Sequence, residues 1–335
     1  MSNQAAVLEE AKSALTVKSL SIPKPGPSDL LVKNHAVSTC PVDWKMRDYD
    51  FAIEKYPTIL GSDIAGTIEA VGSSVTGFSA GDRVTGFADV ILSKDARNGA
   101  FQQYTILKDC AATKLPAATT FEQACILPMS VATAGVGMFV CMDIPRPPTQ
   151  SSGGFLVWGG SSSVGTAAIQ IAKILGFTVF TTSSPRHHEY LKALGAESCF
   201  NYSDSSVVDN IVNAAKASGQ KITAAFDAVS ENPSLPAAIL EAFGGGKLCL
   251  TVAYPEDAKK PAGVEISNIV AARVAGDQKD FGKWLFGEWL ATALTNGTYV
   301  PSPAIEKVDG GLGALQKALD THKKGLSGKK LVLTI

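Results

Sequence analysis

A chain of 335 residues that is 45% hydrophobic and 18% charged can bury a core in one large or two ordinary domains, which excludes a disordered segment. Its formal net charge of −1 gives no general pull toward nucleic acid or acidic lipid. No apolar run reaches the length of a bilayer span, and the start MSNQAAVLEEAKSALTVKSL has early acids and no apolar centre, so no membrane contact and a cytoplasmic setting are expected.

The first third is β-rich and irregular. LLVKNHAVST, DIAGTIEAVG and AFQQYTILKD mix apolar and β-branched residues between turn signals such as PKPGPSD and VTGFSAGDRV. From Thr120 the texture changes: TTFEQACILPMSVATAGVGMF has helical period, with Thr120 placed as its N-cap. After a Pro-rich connector, IPRPPTQSSGG, short apolar runs alternate with helical ones. FLVWG, FTVFTTS, SCFNYS, AAFDAVS and KLCLTVA read as strands; TAAIQIAKILG, EYLKALGA and VVDNIVNAAKASG read as the helices between them. That alternation predicts an α/β unit with a doubly wound parallel sheet. The tail holds an aromatic helix from Phe281 to Trp289, a helix GALQKALDTHKKG and a last strand KKLVLTI. The aromatic face is read as core, since such faces usually pack, with the wall of an apolar acyl pocket or a partner surface as the alternative. The six cysteines, at 40, 110, 125, 141, 199 and 249, form no C-x-x-C pair, which predicts free, mostly buried thiols rather than a disulfide framework or structural zinc.

The stretch WGGSSSVG joins a strand to a helix. Gly159, Gly160 and Gly165 supply the small positions of a pyrophosphate cradle. Free N–H groups and the helix dipole favour the anion, and Ser161, Ser162 and Ser163 add hydroxyls. An NAD site places an Asp or Glu about 20 residues on, to hold the ribose hydroxyls. Here the next strand ends in TTSSPRHH, with no acid before Glu189. Ser183, Ser184, Arg186 and His187 offer donors and positive charge instead, and Tyr202 follows the next strand. A 2′-phosphate suits them, so NADPH is expected over NADH.

The order of these landmarks resembles the medium-chain dehydrogenase/reductase superfamily. The resemblance rests on GSDIAGTIEAVGSSVTGFSAGDRV, GAFQQYTILKD, ATTFEQACILPMSVATAG, WGGSSSVGTAAIQIAKILG and GLSGKKLV, which run through nearly the whole chain. It implies a GroES-like β-barrel catalytic domain over residues 1–120 and 285–335, to which the C-terminus returns. A Rossmann domain over 121–284 would bind the cofactor. Zinc alcohol dehydrogenases in that superfamily carry a Cys ligand, a His-Glu pair and a further Cys. This chain keeps Cys40, has Ser62-Asp63 in place of the pair, and has Pro128 near the other Cys. One soft ligand and a hydroxyl do not make a catalytic zinc site, so no metal is expected.

Among the zinc-free branches, PVDWKMR, LPMSVATAG, GGSSSV, SSPRHH, Phe200-Asn201-Tyr202 and LSGKK resemble fungal trans-acting enoyl reductases of the lovastatin type, and more broadly quinone oxidoreductase-like proteins. Position by position, the resemblance implies that Val42, Asp43, Trp44 and Lys45 line the nicotinamide end. Ser161, Ser162, Ser163 and Val164 would hold the pyrophosphate; Ser184, Pro185, Arg186, His187 and Tyr202 the 2′-phosphate. Val252 and Ala253 would flank the nicotinamide, and Ser327 and Gly328 would close over it. Leu127, Pro128, Met129, Ser130, Val131, Ala132, Thr133 and Ala134 would face the substrate.

The expected reaction is metal-free hydride transfer to the C=C of an α,β-unsaturated thioester or ketone. Charge develops on the conjugated oxygen, so catalysis rests on proximity and hydrogen-bond donation. Lys45 and Thr133 are the side-chain donors singled out, and Asp43 is read as positional. The substrate is a free small molecule or a carrier-bound polyketide chain, the latter with a polyketide synthase as partner and the protein itself a monomer or homodimer. The alternatives are a quinone or general enone reductase and an NADPH-binding protein without turnover.

Overall fold

The computed structural model describes residues 2–259 and 261–335. The chain divides into two compact units, Met1–Ala132 with Ala272–Ile335, and Thr133–Ala271.

In the first unit, β1 (Asn3–Leu8) pairs antiparallel with β2 (Leu15–Leu20) and β4 (Thr58–Ile59), the last after the long strand β3 (Asp29–Ser38). β3 also pairs with β5 (Asp63–Val71), which continues through β6 (Arg83–Phe87) to β8 (Ala112–Lys114), while β7 (Tyr104–Lys108) pairs back to β3. The register between β3 and β5 shifts twice, at Leu31/Val32 and Asn34/Ala36. Such bulges bend a strand and let a sheet curl around its own core. Leu30, Val32, Ile64, Val84, Phe101 and Leu107 fill that core.

The second unit begins near the end of helix Pro128–Gly135. Its strands are β9 (Gly154–Trp158), β10 (Thr178–Ser183), β11 (Ala196–Asn201), β12 (Ile222–Asp227), β13 (Gly246–Leu250) and β14 (Val264–Asn268), ordered β11-β10-β9-β12-β13-β14. Every pairing is parallel. This is the doubly wound Rossmann order, in which ligands bind beyond the carboxyl ends of the strands where the order reverses, here between β9 and β12. The three helices read from the sequence form, as Ser163–Ile174, His188–Ala193 and Val207–Ala217. Helix Ser234–Ala242 and β14 complete the pattern. The chain then returns to the first unit, where β15 (Ala304–Lys307) lies parallel to β16 (Lys329–Thr334), and β16 pairs antiparallel with β3.

The expected domain limits, 120/121 and 284/285, differ from the limits of the compact units, 132/133 and 271/272. Packing explains both shifts. Phe121 stacks on His35 with ring centroids 4.5 Å apart, beneath the Arg83 guanidinium, and Thr85 Oγ1 donates to the Ala124 carbonyl at 2.9 Å. At the other end Thr113 Oγ1 donates to the Phe286 carbonyl, and Gly282 lies so close to the Val274 carbonyl that a Cβ there would stand 2.1 Å from it. Phe281, Leu285, Phe286 and Trp289 are buried, which makes that aromatic face core.

The helical run Phe121–Cys141 corrects the reading that no segment is long and apolar enough to span a bilayer: its 21 residues pass by length and composition, with a mean hydropathy of 1.9. It is 83% buried in the protein, as a core helix is. Glu122, Gln123, Ser130, Thr133 and Pro128 interrupt the apolar run, so no unbroken apolar stretch marks it in the sequence. No disulfide joins the cysteines of the described residues, and Cys40, Cys110, Cys125 and Cys249 are buried.

Candidate functional site

In the second unit, three glycines shape the turn after β9, each for a different steric reason. Gly159 has φ of +78°, a conformation side chains resist, and a Cβ there would meet Val229 at 2.7 Å. A Cβ on Gly160 would stand 2.1 Å from Thr181 Oγ1 on β10, and one on Gly165 would stand 2.3 Å from the Gly159 carbonyl oxygen. The helix therefore starts hard against the turn. Ser162 is its N-cap: its Oγ accepts from the Gly165 N–H at 3.0 Å and donates to the Gly159 carbonyl at 2.8 Å. The Ser162 hydroxyl thus holds the turn itself, while the half-buried side chains of Ser161, Ser163 and Val164 take no part in its bonds. Thr182 Oγ1 completes the cradle by accepting from the Gly159 N–H at 3.0 Å.

Ser183 pairs with Asn201, so the ends of β10 and β11 lie side by side and bring Ser184 and Tyr202 out at one edge. Pro185–His187 form a short 3₁₀ turn there. Arg186 is exposed, its Nε 3.2 Å from His187 Nε2, and Tyr202 is 49% exposed. Burial, then the neighbouring Arg186 and His188, pushes the His187 pKa down. Glu189, the first acid after β10, turns along its own helix to pair with Lys192 at 2.9 Å. The Glu189 carboxylate is thus engaged within its own helix.

Two residues that sequence reasoning passed over fix the far side of the crevice. Asp227, fully buried at the end of β12, accepts from the N–H groups of Val229 (3.1 Å) and Ser230 (2.7 Å), and burial raises its pKa. Ser230 Oγ then accepts from the N–H groups of Thr251 (3.1 Å) and Val252 (3.3 Å), which sets the exposed Val252-Ala253 pair after β13. The Asp-x-x-Ser spacing in FDAVS was the available signal. Ser161–Val164, Ser184–His187, Tyr202 and Val252-Ala253 all emerge at carboxyl ends of the sheet.

In the first unit, Val42, Asp43, Trp44 and Lys45 lie on helix Pro41–Tyr49. Asp43 Oδ2 accepts from the Cys40 N–H at 2.6 Å, an N-terminal capping contact, and burial raises the carboxyl pKa to about 8. Asp43 thus ties the start of its own helix. The Lys45 ammonium lies 5.8 Å from the Trp44 ring centroid, with Lys323 at 5.9 Å from the same ring. Ser327 is exposed and Gly328, at φ of +67°, turns the chain into β16. Leu127–Ala134 is buried apart from half-buried Met129, and Thr133 opens the second unit, so Lys45 and Thr133 fall in different compact units.

The least legible part of this unit is a buried polar cluster. Asp63 Oδ2 accepts from Ser38 Oγ (3.0 Å), Cys40 Sγ (3.1 Å) and the Lys330 ammonium, and Asp63 Oδ1 accepts from the Met129 N–H at 2.6 Å. Lys330 and Asp63 are 3% and 0% exposed. Burial penalises the ammonium, but the Asp63 carboxylate outweighs that and the Lys330 pKa rises. Burial and then Asp63 push the Cys40 thiol well up, so it stays protonated. The Ser62 hydroxyl is buried without a partner.

Comparison with known proteins accords with both units. Residues 26–117 match the alcohol dehydrogenase GroES-like domain family, and residues 163–276 the zinc-binding dehydrogenase family. The chain is 34% identical to the dehydrogenase pigH of Monascus ruber over all of both chains. It is 35% identical to the trans-enoyl reductase tndF of Aspergillus flavipes over 99% of each. The crystal structure of an alcohol dehydrogenase superfamily protein from Novosphingobium aromaticivorans superposes with a TM-score of 0.80, at 27% identity over 99% of each chain. Full-length relatives at a third identity, with both domain families matched in the order the fold requires, show that the chain belongs to the medium-chain dehydrogenase/reductase superfamily.

Proposed function

We propose that this oxidoreductase is an NADPH-dependent reductase of the C=C in an α,β-unsaturated thioester or ketone. The observation that carries the cofactor half is the edge formed by Ser184, Arg186, His187 and Tyr202, where the Arg186 guanidinium is exposed and the first acid after β10, Glu189, pairs with Lys192 on its own helix. The cradle fits a dinucleotide: at Gly159, Gly160 and Gly165 no Cβ can be added without collision, and helix Ser163–Ile174 starts at this turn, where a helix N-terminus favours an anion. The substrate half is supported by similarity to trans-enoyl reductases along the full chain.

When bound, the nicotinamide supplies hydride. The chain's own part is to bind, orient and donate hydrogen bonds. Ser161–Val164 receive the pyrophosphate, and Ser184–His187 with Tyr202 receive the 2′-phosphate. The resemblance to trans-acting enoyl reductases implies nicotinamide contacts for Val42–Lys45 and Ser327-Gly328 in the first unit and for Val252-Ala253 in the second, and a substrate-facing role for Leu127–Ala134. Lys45 in the first unit and Thr133 in the second are the side-chain donors that the resemblance singles out for the oxygen that gains charge, which is where fixed donors contribute most. A carrier-bound polyketide chain is the substrate form this reading favours.

A catalytic zinc does not fit the donors present. Cys40 keeps its proton, Ser62 offers a neutral hydroxyl, and the Asp63 carboxylate is already engaged by Lys330. Catalytic zinc takes three ligands from among thiolate, imidazole and carboxylate, and no group of three such side chains is gathered among the described residues. The proposed reaction is therefore metal-free.

An NADPH-oxidation assay with crotonyl, longer enoyl and methyl-branched thioesters, run beside simple quinones, tests the reading. Turnover of thioesters is expected. Activity confined to quinones would overturn the enoyl half, and equal inhibition by AMP and 2′-AMP would overturn the cofactor half.

A further inference from the structure

The buried cluster around Asp63 converges on one stretch of backbone. Helix Phe121–Ala124 ends at Cys125, and helix Pro128–Gly135 starts three residues later. Between them the carbonyls of Cys125 and Ile126, and the N–H of Met129 in the first turn of the next helix, need partners inside the core. Each finds one on a different element. Ser38 Oγ, at the end of β3, lies 2.9 Å from the Cys125 carbonyl; Lys330 Nζ, on β16, donates to the Ile126 carbonyl at 3.1 Å; Asp63 Oδ1, opening β5, accepts from the Met129 N–H at 2.6 Å. Asp63 and Lys330 are joined to each other as well.

We infer that Asp63 and Lys330 are positioning residues, a clamp that sets where helix Pro128–Gly135 begins and therefore how Leu127–Ala134 is presented to substrate. The inference deepens the proposed function and rests on it for the substrate-facing role of that helix. A buried ion pair does little for net stability, because desolvation of both charges offsets their attraction. Its chemical consequence here lies elsewhere: it gives one loop carbonyl and one helix N–H fixed partners that no apolar pair could supply. Asp63 also puts negative charge at a helix N-terminus, where the dipole favours it. The pair thus acts on geometry.

Two double variants separate the clamp from generic stability. Asp63→Asn with Lys330→Met removes both charges but keeps an acceptor for the Met129 N–H. Asp63→Leu with Lys330→Met removes charge and acceptor together. Amide hydrogen exchange gives a readout that needs no turnover. Protection of Met129–Ala132 falls by roughly tenfold or more in the Leu/Met variant and is kept in the Asn/Met variant. Amides of helix Ser163–Ile174 stay as in the parent in both. With an enoyl thioester, the Leu/Met variant raises KM by roughly tenfold and the Asn/Met variant leaves it within about twofold, while the NADPH dissociation constant is unchanged in either. Unaltered exchange at Met129–Ala132 in a folded Leu/Met variant overturns the clamp. Altered exchange in a chain that reduces no enoyl thioester even as the parent leaves the clamp standing and removes the proposed function. If the Leu/Met pair does not fold, Asp63→Ala with Lys330→Met, which likewise removes the acceptor for the Met129 N–H, is read by the same exchange at Met129–Ala132, where kept protection is the overturning result.

Discussion

Gly165 lies against the Gly159 carbonyl: a Cβ at 165 would stand 2.3 Å from that oxygen and 2.7 Å from the Gly160 Cα. Both obstacles are backbone, so neither can swing aside as a side-chain tip would. Gly165→Ala must push the helix away from the turn, and we expect a loss of about 1–3 kcal/mol in stability. The N–H groups of the cradle move with the helix, so NADPH affinity falls by roughly tenfold or more. Gly287→Ala, at an exposed helical glycine with open space around it, is the matched control and is expected to be neutral or to stabilise by up to about 1 kcal/mol. Thermal melts and NADPH fluorescence titrations on the two variants check this, and equal behaviour of the pair would sink it.

The Arg186 guanidinium is exposed and donates from Nε to the neighbouring His187 Nε2 at 3.2 Å, a surface contact on which little of the fold depends. Arg186→Ala should leave the melting temperature alone. A charge-assisted bond to phosphate contributes about 1.5–3 kcal/mol, so the NADPH dissociation constant should rise by roughly ten- to a hundredfold. That for NADH should change little. Paired titrations with the two cofactors test the difference, and parallel losses would place Arg186 elsewhere than at the 2′-phosphate.

Much of this was legible in the sequence because period and turn chemistry report it. The βαβ alternation gave five of the six Rossmann strands, and Thr120 is the N-cap expected, with Gln123 completing a capping box. β14 was missed: VEISN is short and half-exposed, without the apolar run that marked its neighbours. The cradle was legible as well, though not that Ser162 is consumed by capping, since that depends on the helix starting at Ser163. The Asp63–Lys330 pair was invisible for a different reason. The residues are 267 positions apart, and a lysine in a KK dipeptide looks solvated; only the inward face of β16, set by its register with β3, buries one of the two. Nothing local encodes that.

The same pair governs what a metal assay should show. A cation drawn to Asp63 would have to displace the Lys330 ammonium and deprotonate Cys40, whose pKa burial and Asp63 raise. Both steps oppose binding. Elemental analysis of the purified protein should find zinc well below one equivalent, and dialysis against a chelator should leave cofactor binding and turnover unchanged. Stoichiometric zinc lost together with activity would falsify the metal-free reading.

His322 makes acid stability testable. It sits in the last turn of helix Leu315–Lys323, where the dipole would favour imidazolium by about 0.3–1 kcal/mol. Burial, then the charge of Lys330, works the other way and wins, lowering the pKa to about 4, with Nδ1 2.8 Å from Thr39 Oγ1. An unfolded histidine takes its proton near the usual value of about 6.5, so between these limits the unfolded chain binds the extra proton. Stability from this group is therefore full above pH ~6.5 and is lost as pH falls toward about 4. Asp43, with its pKa raised to about 8, works in the opposite sense: its folded form binds the extra proton, so its contribution falls as pH rises from about 4 to about 8. The raw pH profile mixes the two. The difference between the parent and His322→Gln, measured by denaturant melts, removes Asp43 from the comparison. That difference should be flat above pH ~6.5 and should shift against the parent as pH drops toward about 4. A difference that stays flat throughout would mean that His322 titrates alike in both states, and that its burial does not control its charge.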